Sequence, residues 1–315
     1  MKGVVIRMVF PLGSAEIIRV LQKRRSVRKY QQKPIPKEDL EALLFALQRA
    51  PTDATAQLYS TVRITDKDLR RWISEKTGNP HVLEAAEFFL FLGDLYRVRR
   101  FLEKAGYPPG RFPKTGLHFA LIDASLSAAF MALTAESLGY GICFIGGVLN
   151  AYPEITEALA LPEGVFPVVG LTVGVPAEDG PPRPRLPRGL VVHENRYRTP
   201  EEEELEEGLQ AMAPIARGDW ARLLARYFAQ GGAMEAREAP YGKTLTRQGL
   251  DPDLPKEAGA YSLGALIEEA LSEWRSVLFR RGEAWVEKED EAQRGEGRPG
   301  EALLQALSGA GFPGL

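Results

Sequence analysis

At 315 residues, with 44% hydrophobic and 9% aromatic side chains, the chain holds enough apolar material for one large domain or two small ones. Its 40 basic and 42 acidic residues leave a formal net charge of −2, so there is no global attraction to nucleic acid or to an anionic membrane, and any anion binding must come from local patches. The single cysteine, Cys143, excludes an internal disulfide framework, and no zinc or iron–sulfur motif can be assembled around it. A packed thiol in a reducing, cytoplasmic setting is the expectation. Val4, Val5 and Ile6 are interrupted by Arg7 well short of a secretory core, so no targeting segment is expected.

Ser14 is placed to cap a first helix in which Ile17, Ile18 and Leu21 fall at helical spacing. It leads into Arg24-Arg25-Ser26-Val27-Arg28, three guanidiniums and a hydroxyl. Arginine forks meet phosphate oxygens in pairs, although the same run also suits a solvated helix face. Pro34 breaks the chain and Pro36 restarts it as a helix, with Glu38 and Asp39 at its positive end and Leu40, Leu43, Leu44 and Leu47 as its buried stripe. Residues 61–65 alternate as a strand, Asp66 caps a helix through Trp72, and Gly78-Asn79-Pro80 stops it. Residues 87–92 read as a buried strand.

The apolar window 117–138 approaches membrane-spanning length but contains His118, Asp123 and Glu136. Its recurrent small residues, among them Ala124, Ser127, Ala128 and Ala132, predict a buried helix, paired closely with another across a dimer interface. Cys143-Phe144-Ile145-Gly146-Gly147 follows, then a short helix near 153–160 and a strand over 166–173. Residues 181–187 form a stiff proline-rich segment, and six glutamates in 201–207 open a helical portion that ends at Gly231-Gly232. Residues 233–259, rich in Gly, Pro and charge, predict a long mobile loop, 260–279 one more helix, and 287–301 a frayed stretch. The alternation of strands and helices makes the class mixed α and β.

In order and spacing these blocks resemble the nitroreductase and flavin reductase superfamily, most closely its oxygen-insensitive NADPH nitroreductases and bacterial FMN reductases. Residues 24–28 are similar to the family's His-Arg-Ser-X-Arg opening, with Arg24 in the histidine's place. Residues 50–57 follow its Ala-Pro-Ser-Ser-X-Asn-X-Gln pattern, except that Asp53 and Thr55 stand where Ser and Asn are preferred. Glu136-Ser137-Leu138-Gly139, Ile145-Gly146-Gly147, Arg183-Pro184-Arg185-Leu186-Pro187 and His193-Glu194-Asn195-Arg196-Tyr197 continue the match across residues 14–230.

The resemblance implies an α+β fold with a central, mainly antiparallel sheet flanked by helices, in an intertwined homodimer with FMN at the subunit interface. It also implies a flavin domain over 14–230, an enlarged loop and helix over 231–282 packing on that domain or on the partner, and a mobile tail over 283–315. The implied reaction is ping-pong reduction of nitroaromatics, quinones or free flavin by NADPH or NADH. Arg24, Arg25, Ser26 and Arg28 would hold the phosphate and ribityl end, with Arg183 and Arg185 completing the anion site. Thr52 and Gln57 would offer polar contacts to the ribityl chain or ring, and Phe144, Ile145, Gly146 and Gly147 would border the isoalloxazine. His81 is a candidate substrate contact, with a packed histidine as its alternative, and neither a catalytic side chain nor a metal is implied. Arg237, Lys243 and Arg247 are candidates to replace the family's NADPH-phosphate arginines, opposed by Glu235 and Glu238. Two other functions fit the same scaffold: an FMN-dependent dehydrogenase or flavin-cleaving enzyme, and a flavin-binding protein without catalysis.

Overall fold

The structure is a computed structural model that describes residues 16–215 and 219–250, all within the unit Met1–Leu254. Ser14, residues 251–259 of the expected loop, the expected helix over 260–279 and the expected tail lie outside the described residues. In chain order the helices are α1 (Glu16–Lys23), α2 (Lys37–Gln48), α3 (Lys67–Thr77), α4 (His81–Glu84), α5 (Tyr96–Ala105), α6 (Pro113–Ser137), α7 (Tyr152–Ala158), α8 (Glu202–Met212), α9 (Trp220–Phe228) and α10 (Ala233–Arg247). The strands are β1 (Tyr59–Arg63), β2 (Glu87–Asp94), β3 (Gly141–Ile145) and β4 (Val165–Gly174).

The apolar run expected near 87–92 becomes β2, which is buried at every position because helices cover both faces of the sheet. The four strands are antiparallel in the order β1-β2-β4-β3. On one face Phe89, Phe91 and Leu171 pack with Leu43 and Leu47 of α2 and with Ala124, Ala128 and Met131 of α6. On the other, Phe88, Leu90 and Ile145 pack with Ile73 of α3 and Val82 of α4. The expected α+β architecture with a mainly antiparallel sheet is therefore what forms.

Several local expectations hold. The Asp66 carboxylate accepts the Leu69 N–H at 2.7 Å, capping α3 as its position implied, and Gly78 ends that helix at φ 68°. Cys143 is buried, 2% exposed. Others need correction. The small residues of α6 are not a surface for another copy: Ala120, Ala124, Ser127, Ala128, Ala132 and Ala135 are buried within this chain. What α6 leaves exposed is larger, with Ile122 39% and Phe130 37% exposed. This helix is long and apolar enough to cross a membrane, but its small-residue side is spent on packing against α2 and the sheet.

The expected loop beginning at Ala233 is instead helix α10 through Arg247. Gly242 and Pro240 lower its intrinsic propensity, and Pro240 leaves the Ala236 carbonyl without its helical donor. Burial overrides that weakness: Thr244 and Leu245 are 1% and 5% exposed, and Tyr241 packs against Tyr152 at a ring separation of 5.0 Å.

Arg70 on α3 fixes the short helix α4. Its guanidinium donates to the carbonyls of Val82 (2.8 Å), Ala86 (3.3 Å) and Ala85, filling acceptors that so brief a helix cannot satisfy itself. Arg70→Met should leave these carbonyls without that donor and lower unfolding stability by about 2–4 kcal/mol, read as a shifted urea midpoint at unchanged slope.

Candidate functional site

Strand β3 lies at the sheet edge, and residues 26–31 run along its open side. The Val27 N–H donates to the Ile142 carbonyl at 2.8 Å, and Ser26 bridges Ile142 in parallel. Gly141 permits this approach, since a Cβ there would lie 2.7 Å from the Val27 side chain. The register continues through Gln31 N–H to Val175 O and Ala177 N–H to Lys29 O, both at 2.9 Å. The arginine run is thus extended backbone docked on a strand, beyond the end of α1 rather than on a helix face.

Burial pushes the Cys143 thiol pKa up, while Arg28, the Ser26 hydroxyl, Arg183 and Arg24 pull it back. Arg24, Arg28 and Arg183, from two distant segments, thus all act electrostatically on Cys143. Arg25 turns the other way, donating to the Glu178 carbonyl at 2.6 Å and to Asp179 Oδ1 at 3.3 Å. The Arg28 N–H donates to Glu178 Oε1 at 2.6 Å, and Arg24 Nε lies 4.0 Å from Glu136 Oε2. Burial raises the Glu136 pKa against the pull of Arg24 and the Arg25 N–H. A cleft of ≈ 850 Å³ opens beside Arg24 and Arg25, walled by Arg19, Lys23, Glu136 and Asp179.

Arg185 does not join the group; its guanidinium folds back onto the carbonyls of Arg183 (3.3 Å) and Pro184 (3.0 Å). His81 opens α4 and is only 6% exposed, which fits the packed-histidine alternative. Burial first, and the Arg28 charge second, lower its pKa and keep the ring neutral at pH 7. Phe144 is 36% exposed, Ile145 is buried, and the chain then enters a 3-10 turn, Gly146–Ala151. The two glycines of that turn have different reasons. A Cβ on Gly147 would lie 2.4 Å from Asn79 Nδ2 and 2.7 Å from the Thr77 carbonyl, whereas one on Gly146 would meet nothing within 4 Å. Arg237 of α10 reaches the same turn, donating to Asn150 Oδ1 at 2.9 Å and lying over the Tyr227 ring.

Thr52 and Gln57 lie elsewhere in the chain. Their loop is held by Asp123 of α6, whose Oδ1 accepts the Asp53 N–H (3.0 Å) and Oδ2 the Leu58 N–H (2.8 Å). Asp123 and Glu136, which mark the two halves of the expected site, are separated by roughly 20 Å of helix at 1.5 Å per residue. One chain alone does not bring the two halves together. Asp123 was visible in the sequence only as a charge interrupting an apolar window, and that interruption was the signal of its use: a lone carboxylate on a buried helix needs donors.

The nitroreductase family model matches residues 21–175. The chain is 37% identical over 183 residues to FMN reductase (NADPH) of Bacillus subtilis (strain 168), covering 57% of this chain and 74% of that protein. It is 40% identical over 187 residues to a Cr(VI) reductase of Pseudomonas sp. (strain G-1), covering 59% and 77%. The chain belongs to the nitroreductase family. Among solved structures, NADPH:FMN oxidoreductase from Vibrio harveyi, complexed with NAD+, superposes with a TM-score of 0.67 at 28% identity, covering 75% of this chain and 98% of its own.

The two glycines give a direct test of this nitroreductase-family turn. Gly147→Ala should cost about 1–3 kcal/mol in thermal or urea unfolding, because backbone at Thr77 cannot give way. Gly146→Ala should leave unfolding unchanged, so any loss of FMN affinity it causes, measured by flavin fluorescence, reports a ligand close to the backbone there.

Proposed function

We propose that this chain is a cytoplasmic, FMN-dependent oxidoreductase that takes reducing equivalents from NADPH or NADH and passes them to nitroaromatics, quinones or free flavin. The observation that carries the reading is the docking of the arginine run on β3, through the Val27 N–H to the Ile142 carbonyl, on the strand that leads into the open turn at Gly146, in a nitroreductase-family chain. The donor set fits the cofactor: guanidiniums and a hydroxyl suit a phosphate dianion. Bound FMN supplies the two-electron carrier between nicotinamide and oxidant.

The chain's own residues bind and orient. Arg24 and Arg28 neutralise the phosphate, with Arg183 from the proline-rich segment closing on it, and Ser26 adds a neutral donor. Arg25, tied to residues 178–179, fixes the backbone of the run. Phe144 offers apolar surface and Gly146 an unobstructed approach, so a flat ring stacks without a side chain in its way. A cationic surround favours the more negative, reduced flavin. The relatives named for NADPH and the Vibrio structure with NAD+ support a nicotinamide donor, and Arg237 of α10 brings a cation to the Asn150 turn. Solved relatives match 97–99% of their length on 73–75% of this chain, which supports a catalytic body that takes up about three quarters of it.

A homodimer completes the site. Ile122 and Phe130 leave apolar surface on α6, and the halves of the expected flavin site are held from its middle, at Asp123, and from its C-terminal end, at Glu136.

The purified protein should show flavin absorbance and should oxidise NADPH faster when a nitroaromatic or a quinone is added; a flavin-loaded protein inert to both donors would favour flavin storage. Arg28→Ala should raise the FMN dissociation constant about tenfold to a hundredfold with little change in stability, as expected for one lost charge-assisted contact. Sedimentation of the flavin-free protein at low micromolar concentration should show a dimer, and a well-folded monomer would remove the interface from the reading.

A further inference from the structure

The segment between Thr52 and Leu58 has a backbone that its residues do not favour. Ala54, Thr55 and Gln57 have φ of 45°, 57° and 53°, the left-handed region in which an L side chain is disfavoured. There is no glycine anywhere in 50–57. Nor does side-chain packing explain the strain, because Asp53, Ala54, Thr55 and Gln57 are all exposed. Backbone clamps hold it instead. On the inside is Asp123, 0% exposed, with one carboxylate oxygen on the Asp53 N–H and the other on the Leu58 N–H, so it spans the strained residues from both ends. On the outside Arg97 donates to the carbonyls of Gln57 and Tyr59 (2.6 Å) and to Ser60 Oγ (3.1 Å), and is itself steadied by Asp94 Oδ2 at 3.5 Å.

We infer that Asp123 and Arg97 are positioning residues, which hold Ala54, Thr55 and Gln57 in the left-handed region and so pre-organise the loop to present Thr52 and Gln57 to the flavin. This rests on the proposed flavin site and deepens it: neither residue touches the cofactor, and both act through the loop. Strain that buys no packing is retained where a shape has to be ready before its ligand arrives. The carboxylate suits the task because one buried group with two acceptor oxygens closes both ends of the loop, which an amide with a single acceptor oxygen cannot do.

The test uses the full-length protein and separates shape from stability. Ala54→Gly and Thr55→Gly relieve the disfavoured backbone without removing any side chain assigned a contact. Both variants should keep or raise the melting temperature, yet weaken FMN binding by about three- to tenfold and alter the visible circular dichroism of the bound flavin. Asp123→Asn, which keeps shape but loses one acceptor, should weaken FMN and lower the melting temperature together. Folded glycine variants that bind FMN within twofold of wild type, with an unchanged flavin spectrum, would overturn the inference, as would glycine variants that are less stable than wild type. Arg28→Ala, measured alongside, tells two failures apart. If it weakens FMN while the glycine variants do not, only the positioning role falls; if it too has no effect, the flavin site at the arginine run falls and the positioning role falls with it.

Discussion

The open edge of β3 is the constraint on which the site depends. An edge strand presents unpaired N–H and carbonyl groups, and a protein has to cover them or leave a template for aggregation. Here Ser26 and Val27 cover part of the edge at Ile142, and residues 29–31 go on to pair with residues 175–177 beyond the end of β4. Because side chains alternate along extended backbone, Val27 and Arg25 are directed away from Ser26 and Arg28. Val27 seals against Gly141, and the polar pair is left near Cys143. On a helix Arg24, Arg25 and Arg28 would lie on neighbouring parts of one solvated turn; extended backbone instead sends Arg25 to residues 178–179, away from Arg28.

The arginine run creates an electrostatic debt, which the fold meets with carboxylates. Glu136 lies near Arg24, Asp179 bonds Arg25, and Glu178 takes the Arg28 N–H while its carbonyl takes the Arg25 guanidinium. The compensation is uneven. Arg25 has two partners in residues 178–179 and only 18% of its side chain is exposed, whereas Arg28 is exposed and meets Glu178 through its backbone N–H rather than its guanidinium. A group already satisfied gains little from a ligand, while an exposed guanidinium is free to gain a strong, charge-assisted contact. Within a single five-residue run, then, Arg25 holds structure and Arg28 is the better placed to hold an anion.

The elements legible in the sequence were those whose signal is local. The apolar run of β2, the Asp66 cap and the Gly78 stop depend on neighbouring residues, and each formed close to its expected bounds. The expectations that failed were those decided by distant contacts. Nothing local in residues 233–247 outweighs Pro240 and Gly242; the helix exists because Tyr241 and Leu245 find Tyr152 and its surroundings some 90 positions earlier in the chain. The small residues of α6 were rightly read as a close-approach surface, but periodicity cannot say whether the approaching backbone belongs to the same chain. In the candidate site the motif residues were legible through resemblance, while Asp123 and Arg97 were not, because they act on backbone groups and carry no motif of their own.

The separation of the two half-sites has a geometric resolution within the proposed dimer. A two-fold axis perpendicular to α6 packs that helix antiparallel against its copy, and any residue on it then faces its own counterpart or a residue equally far on the other side of the axis. The Asp123 end of one copy meets the Glu136 end of the other only if the axis passes midway between them, at residues 129 and 130. Phe130 at that midpoint is one of the exposed large apolar residues of the helix, and Ile122 lies two turns away on the same side. In the proposed dimer, a crossing that buries Phe130 would set the Thr52–Gln57 loop of one protomer on the same side as the arginine run of its partner, twice over. On that proposal dimerisation and flavin binding would become one requirement on α6: its inward face is small and packs on the sheet, and its outward face, with Ile122 and Phe130, would have to hold the copy.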